Sequence, residues 1–225
     1  MNSRAVHGKL LWVLLALTLT CALPLAFPAP LASQGGRAEA LAGLNDAQPE
    51  RRAEAIVWVA QHGRMADQPL LVKRLRDDDP LVRGFAERGL WQLWTRSGDA
   101  AIDRLMAEGI GQMQSGRHRE AIATFSDIIR RKPAFAEGWN KRATVLYLAG
   151  DYQRSLRDCD EVLKRNRYHF GALSGYGQIY FHLEQHDKAL AYWRRALDVN
   201  PNMPGVELNI QGVEELLKQK RGQSI

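Results

Sequence analysis

The stretch FHLEQHDK, residues 181–188, comes closer than any other part of this chain to a metal-binding pattern. His182 and His186 are four residues apart, and residues at that separation share a face on a continuous helix. Histidine nitrogens and carboxylates are ligands that zinc accepts. The zinc-protease pattern HExxH places its glutamate directly after the first histidine, whereas Glu184 comes two residues after His182. Whether the histidines bind metal therefore depends on the element that carries them.

Other stretches with a chemical signature are also incomplete. GIG at 109–111 and GYG at 175–177 do not follow a strand, as a phosphate-binding glycine loop would. DDDP at 77–80 lacks the glycine and the later glutamate of a calcium loop, and an acid-capped helix start at a proline explains it better. Cys159 is expected to be a buried, inert thiol. Since no Walker loop or nucleophile elbow occurs either, we expect no enzymatic activity, no catalytic residue, no cofactor and no metal centre.

A spacing of about 34 residues, the period of one helical-hairpin family, recurs from about residue 102 onwards. Bulky and small positions repeat in this register, and a proline ends the first and third copies: Leu105, Trp139 and Leu173; Gly109, Ala143 and Gly177; Ala121, Ser155 and Ala189; Phe125, Cys159 and Trp193; Pro133 and Pro201. Each copy predicts two helices around a short turn. Over Ile102–Met203 the pattern resembles the tetratricopeptide repeat (TPR), and we assign three units to residues 99–203.

The TPR resemblance also places the histidines. In its register His182 ends the first helix of the third unit, Glu184 lies in the turn, and His186 opens the second helix. The two histidines then straddle a turn, and the ring of His186 is expected to pack at the hairpin end. HLEQH is therefore interpreted as a repeat turn. A metal or small-ligand carrier that uses these histidines is kept as a third hypothesis for the function.

A second, weaker repeat precedes the TPR units. LNDAQPERRAEA at 44–55 aligns with LRDDDPLVRGFA at 75–86. This similarity resembles HEAT repeats, another family of helical hairpins, and we assign two HEAT-like hairpins to residues 33–98. The resemblance implies a ladder of hydrogen bonds between units, in which Asp46 pairs with Arg52 and Asp77 with Arg83.

The last segment, residues 204–225, is predicted to be a capping helix followed by a short tail. Val206, Ile210, Val213 and Leu217 fall on one face of it, with charged residues opposite. A terminal helix with a polar outer face is what a repeat array needs for solubility. The fold class is thus all-α: an α-solenoid of stacked antiparallel helix hairpins with a C-terminal capping helix, the hairpins following one another in sequence order.

Residues 1–32 have the pattern of a secretory signal peptide. Arg4 and Lys9 precede an uncharged apolar run at 10–23, and prolines and small residues follow. Cleavage is predicted after Ala32, with Ala22 as an alternative, and the protein is expected to be periplasmic or otherwise extracytoplasmic. The run is shorter than the roughly 20 residues of a membrane-spanning helix, so no membrane insertion is expected once the signal is removed. An uncleaved anchor stays open, and lipidation of Cys21 is disfavoured because Thr18 and Thr20 do not fit a lipobox.

The net charge is moderate. The chain carries a formal +6, and loss of residues 1–32 removes two cations and no acid, which leaves +4. The cations are spread along amphipathic helices instead of forming the stripe or arm of a nucleic-acid-binding protein. We therefore expect no nucleic-acid partner.

The TPR resemblance implies a concave groove lined by the first helix of each unit. Besides Asp103, Glu137 and Gly171, it predicts the following partner-binding residues: Met106, Ile110, Met113, Asn140, Thr144, Tyr147, Ser174, Gln178 and Phe181. A well-known TPR subgroup clamps a terminal carboxylate with cationic and amide side chains. Here those positions hold Met106, Ile110, Lys141, Gly171 and Gly175, so that clamp is not expected.

Methionine beside aromatic residues suits an apolar or helical partner segment. The sequence thus predicts an exported, non-catalytic TPR scaffold, expected to be a monomer, that binds a protein or peptide partner in this groove. An accessory subunit of an envelope enzyme or assembly complex is the alternative. The groove could also be covered by the chain's own HEAT-like region or cap.

Overall fold

Helices make up the regular structure throughout the described part of the chain. The computed structural model describes residues 36–222, and this range contains eleven α-helices, one 3₁₀ turn at Met65–Asp67 and no strand. The predicted all-α solenoid is thereby confirmed. The helices are α1 (Arg37–Gly43), α2 (Pro49–His62), α3 (Gln68–Arg74), α4 (Pro80–Thr95), α5 (Ala100–Gln114), α6 (His118–Arg131), α7 (Ala136–Leu148), α8 (Tyr152–Arg165), α9 (Phe170–His182), α10 (His186–Val199) and α11 (Pro204–Gly222).

The predicted signal peptide, residues 1–32, lies outside the described residues. Among the helices inside them, none combines the length and the apolar content needed to cross a bilayer. The cleavage site, the alternative of an uncleaved anchor and the absence of a lipid on Cys21 therefore stay predictions.

Three helical hairpins, α5–α6, α7–α8 and α9–α10, follow the TPR register, and the starts of α7, α9 and α11 are each one repeat period apart. Small residues occur where the two helices of a hairpin cross, as predicted. A Cβ at Gly109 would lie 2.6 Å from Cε1 of Phe125, and one at Gly177 would collide with the indole of Trp193. Because a larger side chain would push the helices apart at these points, the small positions set the hairpin spacing.

The turns inside these hairpins share one backbone feature. Gly116, Gly150 and Glu184 occupy the same position in the three successive units, and they have positive φ angles of 70°, 79° and 57°. Glycine adopts this left-handed conformation without steric cost, whereas a glutamate is uncommon there. The turn reading of HLEQH is confirmed, because α9 ends at His182 and α10 begins at His186.

The N-terminal hairpins α1–α2 and α3–α4 are joined by arginine contacts. Arg52 donates from Nη1 to the carbonyl of Asp46 at 2.9 Å, and from Nε and Nη2 to the carboxylate of Asp77 at 2.9 and 2.6 Å. Arg74 donates to the same carboxylate at 3.0 Å. Burial raises the pKa of Asp77, but these arginines and a backbone N–H outweigh burial and the net pKa is lowered. Asp77 thus ties the two hairpins together.

The second N-terminal hairpin also contacts the far end of the TPR array. Arg83 donates from Nε to Oδ1 of Asn202 at 3.1 Å, and Asn202 donates from Nδ2 to the carbonyl of Leu75 at 2.7 Å. Arg76 donates to the carbonyl of Val199 at the end of α10. The expectation that the hairpins simply follow one another in sequence order is therefore wrong on one point. The N-terminal hairpins fold back onto the third TPR unit and the cap.

One apolar core joins these distant segments. Buried residues of the N-terminal hairpins, α9, α10 and α11 form a single cluster that includes Ile56, Leu71, Leu90, Trp94, Phe170, Trp193, Val206 and Val213. There are two further clusters. One joins the first TPR hairpin to the second, and the other joins the second TPR hairpin to the third. The N-terminal hairpins are thus part of the same packed body as the TPR units.

Candidate partner-binding groove

The inward-facing positions of α5, α7 and α9 recur once in every TPR unit and can be grouped in rows. Each row contains one residue from each unit: row one, Asp103, Glu137 and Gly171; row two, Met106, Asn140 and Ser174; row three, Ile110, Thr144 and Gln178; row four, Met113, Tyr147 and Phe181. The rows differ in burial and in the residues that contact them.

Row one is largely covered by the chain itself. Trp91 of α4 packs directly on the backbone of α9, since a Cβ at Gly171 would lie 2.6 Å from Cη2 of the indole. Glu137 is fully buried. Asp103 stays exposed and accepts a hydrogen bond from the hydroxyl of Ser97 in the loop after α4. The alternative that the N-terminal hairpins cover the groove thus holds at Gly171.

A buried polar network surrounds Glu137. Nζ of Lys141 lies 3.2 Å from Oε1 of Glu137, Nδ2 of Asn140 donates to the same oxygen at 3.1 Å, and Nε2 of His169 lies 3.1 Å from Oε2. Burial raises the pKa of Glu137, but Lys141, His169 and Asn140 outweigh it and hold the pKa at about 2. The carboxylate is therefore ionised and neutralises Lys141, the cation that the sequence places in the groove.

His169 connects this network to the N-terminal hairpins. Its Nδ1 accepts the backbone N–H of Ala172 at 3.1 Å, which caps α9 and assigns the ring proton to Nε2. Its ring stacks on Trp94 with centroids 4.6 Å apart and meets Trp91 edge-on at 5.5 Å. The N-terminal hairpins are thus positioned by aromatic packing on the residue that hydrogen-bonds Glu137.

Several predicted contact residues are buried. Met106 and Met113 are 6% and 8% exposed and pack with Phe125 in the core of the first TPR hairpin. The other buried positions are Asn140, Ser174 and Gln178. The methionines were expected to offer a flexible contact surface, but their side chains are instead part of the buried cluster that contains Phe125.

Four predicted residues remain accessible. Ile110, Thr144, Tyr147 and Phe181 are half-buried and come from all three first helices. We call them the open strip. Leu148, the next residue after Tyr147, is 42% exposed.

At one end of the open strip, aromatic rings of the second and third TPR units meet. We call Tyr147, Tyr152, Phe181 and His182 the rim cluster. The hydroxyl of Tyr147 lies 2.7 Å from Nε2 of His182, and the ring of Tyr152 stacks on that of His182 at 5.6 Å. Burial raises the pKa of Tyr147 to about 12 and lowers the pKa of His182. We therefore assign the hydroxyl as the donor and His182 as a neutral acceptor.

Sequence reasoning missed Tyr152 and His182 as site residues, because it interpreted His182 as part of a repeat turn and gave Tyr152 no contact role. Their side chains lie at the turn ends of different units, and only the stacking of those units brings them together. The available signal was the position of Tyr152, because His118 and His186 occupy the same place in the neighbouring units.

The two histidines of HLEQH have different neighbours. His182 contacts Tyr147 and Tyr152, whereas the ring of His186 lies 5.8 Å from that of Phe181. No group of three or more histidine, cysteine or acidic side chains suited to a metal ion occurs between residues 36 and 222. Cys159 is buried as predicted, and burial raises the pKa of its thiol to about 12.

Comparison with known proteins agrees with this geometry. Family models of the tetratricopeptide repeat match residues 106–166 and 172–203. A TPR repeat-containing protein of Rhizobium etli is 36% identical over 158 residues, which cover 68% of this chain and 78% of that relative. The chain belongs to the TPR repeat-containing proteins. Its TPR units therefore include all the helices that carry the open strip.

More distant TPR proteins share the fold. The small glutamine-rich TPR protein of Dictyostelium discoideum is 24% identical over 56% of this chain, which spans 37% of that relative. The first TPR domain of human RPAP3 has a TM-score of 0.51 and 21% identity, covering 54% of this chain and 95% of that domain. A first TPR of Spaghetti (RPAP3), described as bound to an HSP90 peptide, has a TM-score of 0.50, 20% identity and coverage of 52% and 93%.

Proposed function

We propose that this TPR protein is an exported, non-catalytic scaffold that binds a segment of a protein partner on the open strip. The observation that carries the proposal is the accessibility of Ile110, Thr144, Tyr147 and Phe181 beside a row that the chain already covers. The peptide-bound TPR of Spaghetti supports a peptide-binding role for such a groove. Export is proposed from residues 1–32, and the HEAT-like character of the N-terminal hairpins from their internal repeat at 44–55 and 75–86.

The chemistry of the open strip favours an apolar segment. Its residues are one aliphatic, one hydroxyl-bearing and two aromatic side chains, and none is charged. Lys141, the cation nearest to them in the sequence register, is paired with the buried carboxylate of Glu137. An acidic chain terminus would thus find no unpaired lysine at that position, whereas apolar side chains can be buried against aromatic rings.

A blocking substitution tests the proposal. Thr144→Arg places a long side chain across the middle of the open strip, where the threonine is half-buried and its hydroxyl bonds only its own helix at Asn140. We expect it to reduce capture of the partner from an envelope fraction at least tenfold, with little change in melting temperature. The matched control is Gln153→Arg, which adds the same charge at an exposed position of α8.

The outcomes separate the hypotheses. Equal capture by wild type and Thr144→Arg would disprove binding on the open strip. A single stoichiometric enzyme captured only by proteins with an unblocked strip would favour the accessory-subunit form of the proposal. N-terminal sequencing of the native protein tests export independently. A start near Ser33 or Leu23 is expected, and a start at Met1 in a cytosolic fraction would contradict it.

A further inference from the structure

The accessible aromatic rings of the second and third TPR units mostly carry a cation of the chain itself. The guanidinium of Arg165 lies 4.7 Å from the ring centroid of Trp139, and Arg142 lies 5.2 Å from it. Three tyrosines are covered in the same way, at 4.7 to 5.2 Å: Tyr168 by Arg167, Tyr180 by Lys188 and Tyr192 by Arg195. Aromatic faces attract cations through the ring quadrupole, so these contacts occupy the available faces.

The rim cluster departs from this pattern. Within residues 36–222, no arginine or lysine lies over the ring of Tyr147, Tyr152 or Phe181. The nearby cations are engaged elsewhere: Arg154 pairs with Asp151 at 3.3 Å, and Lys188 contacts Tyr180. The rings of the rim cluster are therefore packed against one another without a cationic partner.

Two acidic residues without an ion pair in the described part of the chain follow the rim cluster in the sequence. Glu184 and Asp187 follow His182 in the same turn region, both are exposed, and neither forms an ion pair with any described residue. Glu184 has a positive φ angle, where the other two TPR turns have glycine. A carboxylate is thus present at a position where local backbone preference favours glycine, and residues that break a local rule often do so for function.

We propose that the rim cluster binds an arginine or lysine side chain of the partner segment, next to the apolar residues of that segment on the open strip. The cation would lie over the faces of Tyr147 and Tyr152, with Glu184 and Asp187 supplying opposite charge. This inference rests on the proposed function, since it adds the chemistry of one anchor to the same groove. The partner segment is therefore apolar with a basic residue at one end.

Two synthetic peptides test this anchor. The arginine probe is a short helical peptide of leucine and alanine with arginines at one end, and the citrulline probe replaces every arginine by its uncharged isostere. Fluorescence anisotropy measures both affinities at roughly 0.15 M salt. An exposed cation–π contact contributes about 0.5–1 kcal/mol, so with the added acids we expect the arginine probe to bind about fivefold tighter or better.

Variants test whether the rim cluster causes the difference in affinity between the two probes. Tyr152→Leu is expected to abolish it, Tyr152→Phe to retain it, and Glu184→Gln to reduce it. Tyr168→Leu is the matched control, because that ring is already covered by Arg167. Melting temperatures identify any variant that fails to fold, and Glu184→Gln keeps the test decisive if Tyr152→Leu is such a variant.

Failure of the inference can be distinguished from failure of the proposed function. If both probes bind equally and Thr144→Arg abolishes both, the open strip binds peptide and the cationic anchor is disproved. The anchor is equally disproved if Tyr152→Leu leaves the discrimination intact, or if neither probe binds while partner capture still needs an unblocked strip. If Thr144→Arg changes neither the affinity for the probes nor the capture of the partner, both proposals are disproved.

Discussion

Glu184 is the residue whose backbone conformation is least expected from its type. Its φ angle of 57° is in the left-handed region, where a Cβ costs about 1 kcal/mol or more. We expect Glu184→Gly to raise the free energy of unfolding by up to about 1 kcal/mol, since part of the gain is offset by the greater freedom of glycine in the unfolded chain. Urea denaturation measures the change.

The reverse substitution provides the control for this prediction. Gly150 has a φ of 79° at the equivalent turn, and a Cβ there would meet no atom within 4 Å. Gly150→Ala is therefore expected to lower the free energy of unfolding for conformational reasons alone. If Glu184→Gly destabilises the protein instead, the Glu184 side chain makes a stabilising interaction that outweighs its backbone strain.

Glu137 makes the stability dependent on pH. Its pKa is about 2 in the folded protein, against an ordinary value of 4.5. Its ionised form therefore contributes stability that is fully present above about pH 4.5 and is lost as the pH falls towards about 2. At neutral pH we expect Glu137→Gln to cost on the order of 3 kcal/mol, because Lys141 and His169 lose a buried partner.

The measurement is urea denaturation of both proteins between about pH 5 and about pH 3. The difference between wild type and Glu137→Gln should shrink as the pH falls. A difference that stays constant over this range would show that the pKa of Glu137 is not lowered in the folded protein. Lys141→Met is a useful companion, since it removes the cation and is expected to raise the pKa of Glu137.

At the scale of elements, the contact of α4 with α9 decides how much of the groove stays open. Gly171→Ala introduces a Cβ 2.6 Å from the indole of Trp91, and overpacking of this kind costs about 1–3 kcal/mol. The helix propensity of alanine returns at most about 1 kcal/mol. We therefore expect a net loss of stability and weaker protection of α4 in hydrogen exchange.

Gly175→Ala on the same helix is the matched control. A Cβ at Gly175 would find its nearest non-local neighbour, Sγ of Cys159, at 4.0 Å. The substitution is thus expected to be neutral or stabilising, through helix propensity alone. Equal effects of the two substitutions would show that Trp91 does not pack on α9 in solution.

The sequence predicted the TPR hairpins well because their determinants are local. Gly109 and Phe125 lie on the two helices of one hairpin, as do Gly177 and Trp193, so the size of each position reflects a contact inside that hairpin. The burial of row one could not be predicted in the same way. Gly171 meets Trp91 from a hairpin much earlier in the chain, and no periodic pattern records that the N-terminal hairpins turn back to this face.

The candidate site was predicted in part for the same reason. Tyr147 and Phe181 are half-buried, whereas Met106 and Met113 are buried with Phe125 in the core of the first TPR hairpin. Register tells which helix face a residue occupies, but its exposure also depends on how closely the neighbouring helix approaches. The distance between neighbouring helices is set by the packing of the folded protein and cannot be read from the register.

At the scale of the whole molecule, the shared core predicts one cooperative unit. Repeat arrays in which each repeat contacts only its neighbours can unfold progressively from an end. Here Trp94 and Trp193 belong to one apolar cluster that joins the N-terminal hairpins to the third unit. We expect urea unfolding curves from tryptophan fluorescence and far-ultraviolet circular dichroism to coincide. Two separated transitions would show that the N-terminal hairpins unfold on their own.

The hydrogen bonds between Asn202 and the N-terminal hairpin have a consequence for biosynthesis. Leu75 and Arg83 leave the ribosome long before the asparagine that they contact. During translation the nascent chain can form its local hairpins, but it must hold the apolar face of α4 uncovered until α9 to α11 have emerged. Contacts of such long sequence separation slow folding. We therefore expect the completed chain to close late, and the indoles of Trp91 and Trp94 to stay accessible to chaperones until then.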